Sequence, residues 1–196
     1  MSLHIVLVTG TPASGRSAVL AWLADATPAP HLVADPDGDE AAWRAAGWDG
    51  TDPVLTSVPG DRFDPSRSDD RVAFAVANPI VAVTRMLDRS AGAADKEAIE
   101  EACGRYRSAA GIVARVEPAL VIDFDRVHDG TYRDALPGAC RERLGLDPGA
   151  PFPYLPAAVV PPLGAAARNF VHRFVGKEGW ADYERLRELA RAALAD

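Results

Sequence analysis

Lysine is nearly missing from this chain: of 21 basic residues only Lys96 and Lys177 are lysine, and the others are arginine. With abundant alanine, that bias matches a high-GC coding sequence and carries no information on function. Cysteine is as scarce. Cys103 and Cys140 show no C-x-x-C spacing and both fall in helix-like segments, so they read as small buried apolar side chains rather than as a disulfide or metal ligands. Long apolar runs are absent too, since no segment approaches the ~18 consecutive apolar residues of a membrane span. Met1-Ser2-Leu3-His4 leads directly into a strand, without the basic and apolar regions of a secretory leader, so a cytoplasmic protein with no membrane partner is expected. Positive charge is not in excess either. The net charge is -7 and the pI near 5.1, which leaves no broad face for neutralising nucleic-acid phosphates. The acidic turn Asp35-Pro36-Asp37-Gly38-Asp39-Glu40 starts like a calcium loop, but Ala46 stands where the closing Glu is needed, so it reads as a solvated turn before a helix.

What the chain does have is apolar material: 48% of its 196 residues are hydrophobic, enough for one core with a helical appendage. Strands are expected at His4–Val8, His31–Ala34, Pro53–Pro59, Arg71–Val76 and Ala119–Asp123, alternating with helices at Ser14–Ala24, around Trp43 and Trp48, from Pro79 to Arg89, over 95–116 and from Thr131 to Leu144. Asn78 followed by Pro79 supplies an N-cap and a favoured first helical residue. Such alternation implies an α/β fold of three layers, with a central parallel sheet flanked by helices and a helical C-terminus. Residues 1–146 are expected to form the core and 147–163 a Pro- and Gly-rich connection. Two helices near 164–175 and 180–195 then pack on the core.

One segment carries chemistry. Directly after the apolar run Ile5-Val6-Leu7-Val8 come Gly10, Thr11, Pro12, Ala13, Ser14, Gly15, Arg16 and Ser17, followed by an apolar-striped helix with Val19, Leu20 and Leu23. A strand feeding a glycine-bracketed loop and then a helix aims backbone N–H groups and a helix N-terminus at one point, which suits a phosphate or sulfate. The spacing is that of G-x-x-x-x-G-K-[ST], with Arg16 where lysine is usual, and an Arg fork is not equivalent to a Lys point charge. A Gly15→Val change is expected to close this loop on its anion while leaving the fold intact.

Several segments together resemble the sulfotransferase family, which has a P-loop-like fold and uses 3′-phosphoadenosine 5′-phosphosulfate (PAPS). Val8 to Ser17 resembles the family's 5′-phosphosulfate loop, G-x-P-[RK]-S-G-T-[ST]. Ala77-Asn78-Pro79 and the helix through Leu87-Asp88-Arg89 resemble its R-[ND]-P motif, which serves the 3′-phosphate. Val121-Ile122-Asp123-Phe124-Asp125 is similar to its V-x-Y-E-D-L strand, after a long helix carrying Tyr106. The likeness spans residues 4 to 146 in order and spacing. It implies sulfuryl transfer from PAPS, leaving PAP, to a small-molecule hydroxyl or amine, with no metal required.

The chain departs from the family at charged positions. Ala13 replaces the loop cation, Ala77 the 3′-phosphate Arg, and Leu55 and Ser57 the Lys and His of K-T-H-L-P. Arg16 is the expected stand-in for the loop cation, and Arg85, with Thr84 beside it and Arg89 on the same helical face, the expected 3′-phosphate ligand. Lys177, in Gly176-Lys177-Glu178-Gly179-Trp180, echoes the family's late R-K-G-x-x-G-D-W segment. His31 and Asp35 flank a strand end on the side where parallel sheets open their ligand crevice, which makes them the candidate acid–base pair. Trp43 and Trp48 read as helix-packing residues. Two other readings stay open at this point. One is a P-loop kinase in which Ser17 and Asp123 share Mg²⁺ with ATP; the other is a non-catalytic binding or partner subunit.

Overall fold

The computed structural model describes residues 5–25, 33–34, 40–45, 54–64, 71–89, 95–154 and 163–195. Five strands, β1 (Ile5–Gly10), β2 (Val33–Ala34), β3 (Val54–Ser57), β4 (Arg71–Val76) and β5 (Leu120–Asp123), form one sheet in the order β2-β3-β1-β4-β5. Every pairing is parallel. β1 lies in the middle and is buried along its whole length, as a parallel strand covered on both faces must be. Six helices accompany the sheet: α1 (Arg16–Asp25), α2 (Glu40–Ala45), α3 (Pro79–Arg89), α4 (Lys96–Ala110), α5 (Gly130–Ala139) and α6 (Ala165–Ala192).

Alternation along β1 builds the layers. Val6 and Val8 join the cluster that holds Val19 and Leu23 of α1, whereas Leu7 joins Phe63, Val72 and Ile112 on the other face. The expected three-layer α/β arrangement with a helical C-terminus is therefore the one observed. α6 contributes Tyr183, Leu186 and Ala190 to the first cluster and packs Val171 and Val175 against Val83 of α3 and Ile99 and Cys103 of α4. Both cysteines are buried and free. No helix among the described residues is long and apolar enough to cross a membrane.

Helix starts follow local chemistry. Asn78 Oδ1 accepts the Ile80 N–H at 2.9 Å beside Pro79, and Asp95 accepts the Ala98 N–H at 2.8 Å. Helix ends depart more from simple periodicity. The helix expected over 95–116 stops at Ala110 and tightens into a 3₁₀ turn over Gly111–Ala114. The one expected to run to Leu144 loosens, after Pro137, into a π turn over Cys140–Leu144, because proline withdraws one amide from the ladder. The closing helices meet at Gly176, whose φ of 66° and ψ of 173° break α6 into two segments.

The C-terminal end of β5 is pinned by a tyrosine. Buried Tyr132 of α5 takes the Asp123 N–H on its hydroxyl oxygen at 2.7 Å. Tyr132→Phe would orphan that amide, so its urea unfolding free energy is expected to fall by about 1–3 kcal/mol; an unchanged value would show that β5 is anchored elsewhere.

Candidate functional site

The chain leaves β1 at Gly10 and turns at once. Thr11 N–H donates to the Ala75 carbonyl of β4 at 3.0 Å, and Ser14 N–H returns to the Thr11 carbonyl at 3.2 Å. Ala13 has φ of +57° and Gly15 φ of +82°, and Ala13 is the one non-glycine residue with positive φ among those described. Left-handed residues at alternate positions curl a short loop so that its amides face inward, a geometry that favours anions. α1 then begins, with the Ala18 and Val19 N–H groups donating to the Gly15 carbonyl. The Arg16 and Ser17 amides, in the first turn, have no intrahelical acceptor.

A second feature points the same way. The Ser14 hydroxyl is buried, with the residue 1% exposed, and makes no hydrogen bond among the described residues, yet Ser14 lines an open cavity of about 500 Å³. A buried hydroxyl without a partner is costly, and a bound oxyanion would accept from it.

Close backbone approaches shape the cavity wall. A Cβ on Gly60 would collide with the Gly10 carbonyl oxygen, so the Pro59–Asp61 segment after β3 presses directly against the start of the loop. That contact brings Asp61 into the cavity facing Arg16, with Met86 of α3 and Arg105 of α4 on the rim. Arg105 Nε donates to Asp61 Oδ2 at 3.0 Å, and Asp61 Oδ1 is buried without a partner. Burial pushes the Arg16 guanidinium down from its ordinary pKa and the Asp61 carboxylate pulls it back up. The site thus pairs an amide- and cation-lined floor with one carboxylate opposite.

All eight loop residues from Gly10 to Ser17 line this cavity. The other expected residues are placed differently. Arg85 Nη1 donates to the Ala13 carbonyl at 3.3 Å, which makes it a brace of the loop. Thr84 is 8% exposed and spends its proton on the Ile80 carbonyl, at 2.6 Å, within its own helix. Lys177 is exposed on α6 and is not part of the cavity lining. His31, Asp35 and Trp48 lie outside the described residues. The Ser17–Asp123 pairing needed by a magnesium site does not form: Asp123 is buried on β5, two strands from β1. It accepts from Asp125 N–H at 3.1 Å and faces Arg187 Nε at 3.5 Å.

Asp61 and Arg105 were not singled out by sequence. Asp61 belongs to a polar stretch expected only to cover a site, and Arg105 is one of many exposed helix arginines; only the fold brings them to the loop. No protein-family model matches the chain, and a search of curated proteins finds no match.

Gly15 corrects one expectation. A Cβ there would fall inside the Phe124 ring, in a backbone conformation that already disfavours side chains, so substitution cannot spare the fold. Gly15→Ala is expected to cost at least about 2 kcal/mol of stability from backbone strain and overpacking. Denaturant titration checks this, and an unshifted midpoint would mean that the Gly15–Phe124 contact is loose.

Proposed function

We propose that this chain transfers a sulfuryl group from an adenosine phosphosulfate, PAPS in the family it resembles, to a small-molecule hydroxyl or amine. The observation that carries the reading is the buried, unpartnered Ser14 hydroxyl, set between two left-handed residues and beside the first turn of α1. The fit at this end of the donor is good: one hydroxyl donor, two first-turn amides and the Arg16 guanidinium converge on space suited to a tetrahedral oxyanion. When bound, the donor supplies an activated sulfuryl group on a phosphate leaving group.

The protein's part is electrostatic. Ser14 Oγ and the Arg16 and Ser17 amides hold the oxyanion in place, and Arg16 stands in for the cation that Ala13 lacks. Donors fixed before reaction, in a partly water-excluded site, stabilise developing charge without reorganising. Asp61 Oδ1 is the proton acceptor for an incoming hydroxyl, because it is the unpartnered carboxylate oxygen facing the loop. Arg105 fixes the other oxygen of the same carboxylate and so orients it. This assignment replaces His31 and Asp35 as the base. A kinase reading loses its metal-holding Asp123, and a purely structural role leaves both Ser14 Oγ and Asp61 Oδ1 unexplained.

Ser14→Ala separates function from folding. Removing an unpartnered buried hydroxyl is neutral or favourable for stability, whereas a lost hydrogen bond to a charged ligand costs about 1.5–3 kcal/mol. Calorimetry with adenosine 5′-phosphosulfate in magnesium-free buffer is therefore expected to show binding to the parent and roughly 10- to 100-fold weaker binding to Ser14→Ala, with no loss of unfolding midpoint. Equal affinity of the two proteins, or binding only of ATP with Mg²⁺, would contradict the proposal.

A further inference from the structure

The two ends of PAPS do not fit equally well. The resemblance puts a 3′-phosphate at the turn that opens α3, and three groups there are already engaged. Ala77 offers no cation. Thr84 has given its proton to its own helix, and Arg85 is tied to the Ala13 carbonyl. The remaining donor at that turn is the Asn78 amide, and Asp125 takes it: the Asp125 Oδ2 accepts the Asn78 N–H at 2.6 Å and the Tyr183 hydroxyl at 3.3 Å. Arg85 is close enough for its charge to act on the same carboxylate. A carboxylate of this chain therefore stands at the start of α3, on the amide that an external phosphate would use.

We infer that Asp125 is a specificity-determining residue: an internal anion that replaces the 3′-phosphate, so that the site takes an adenine nucleotide through its 5′ end alone. The inference rests on the reading of the loop given under Proposed function. It makes the donor class adenosine 5′-phosphosulfate rather than its 3′-phosphorylated form. The physical reason is twofold. The donors a 3′-phosphate needs are occupied, and a dianion brought beside Asp125 meets a like charge at short range. Tyr183 and Asn78 hold the carboxylate in place from α6 and from the α3 turn, so it cannot swing aside without giving up both hydrogen bonds.

The test is calorimetry on the full chain, without Mg²⁺, using adenosine 5′-phosphate and adenosine 3′,5′-bisphosphate as probes. The parent is expected to bind the monophosphate at least as tightly as the bisphosphate. Asp125→Asn keeps an acceptor for the Asn78 amide and removes the charge, so it is expected to shift the ratio of affinities toward the bisphosphate by about tenfold or more. A parent that prefers the bisphosphate by tenfold overturns this inference and leaves the loop reading standing. An Asp125→Asn ratio equal to that of the parent overturns it as well. If the parent binds neither nucleotide, the loop reading and this inference fall together. Should the variant not fold, the parent ratio alone decides.

Discussion

The contact of the Phe124 ring with the backbone of Gly15 governs the rest of the site. Phe124 follows β5 and is held to β4 by its N–H bond to the Val76 carbonyl at 2.7 Å. Its ring meets Phe152 edge-on at 6.1 Å, and Phe152 meets Trp22 of α1 edge-on at 5.2 Å. Trp22 in turn donates its indole N–H to the Ala150 carbonyl at 3.1 Å. The helix that begins at the loop is thus clamped to the chain segment after α5 by an aromatic run, each pair of which contributes about 0.5–1.5 kcal/mol beyond its burial. From the other side Arg85 holds the Ala13 carbonyl. A loop strained at two positions keeps its shape only when it is over-determined in this way, and the strain is where a ligand would be bound.

Charge at the site is sparse and directed. Arg16 belongs to the floor, whereas Arg105 spends itself on Asp61 across an exposed pair that contributes little stability. Its consequence is orientation: with one oxygen of Asp61 fixed, the other is aimed. This division suits a transfer in which one group must be stabilised as an anion and its neighbour must lose a proton. The acidic balance of the whole chain is compatible with such a site, since a few local donors, rather than a broad basic face, hold the ligand.

Much of the scaffold is legible in the sequence because local rules decide it. Buried parallel strands read as apolar runs, and Asn78-Pro79 sets the start of α3 by capping alone. The loop is legible for the same reason, as a spacing of glycines after a strand. What escapes is set by distant neighbours. Arg85 reaches the Ala13 carbonyl across 72 positions of sequence and Asp125 reaches Asn78 across 47, so a motif-based reading gives Arg85 to a phosphate and overlooks Asp125. Asp61 is brought to the loop only because Gly60 allows two backbones to touch. Thr84 looks like a ligand until its helix claims the proton. The π turn after Pro137 and the break at Gly176 are local, but periodicity averages over them.

The central claim is that the Gly10–Ser17 loop is an anion cradle, and the most direct measurement of it needs no acceptor and no nucleotide. Titration of the full chain with inorganic phosphate and with sulfate, followed by heteronuclear NMR of the backbone amides, reports which N–H groups meet the anion. Saturable shifts concentrated at Gly15, Arg16 and Ser17 are predicted, with the Asn78 amide unmoved because Asp125 holds it. Shifts confined to surface arginines, or no saturable change at the loop, would contradict the account.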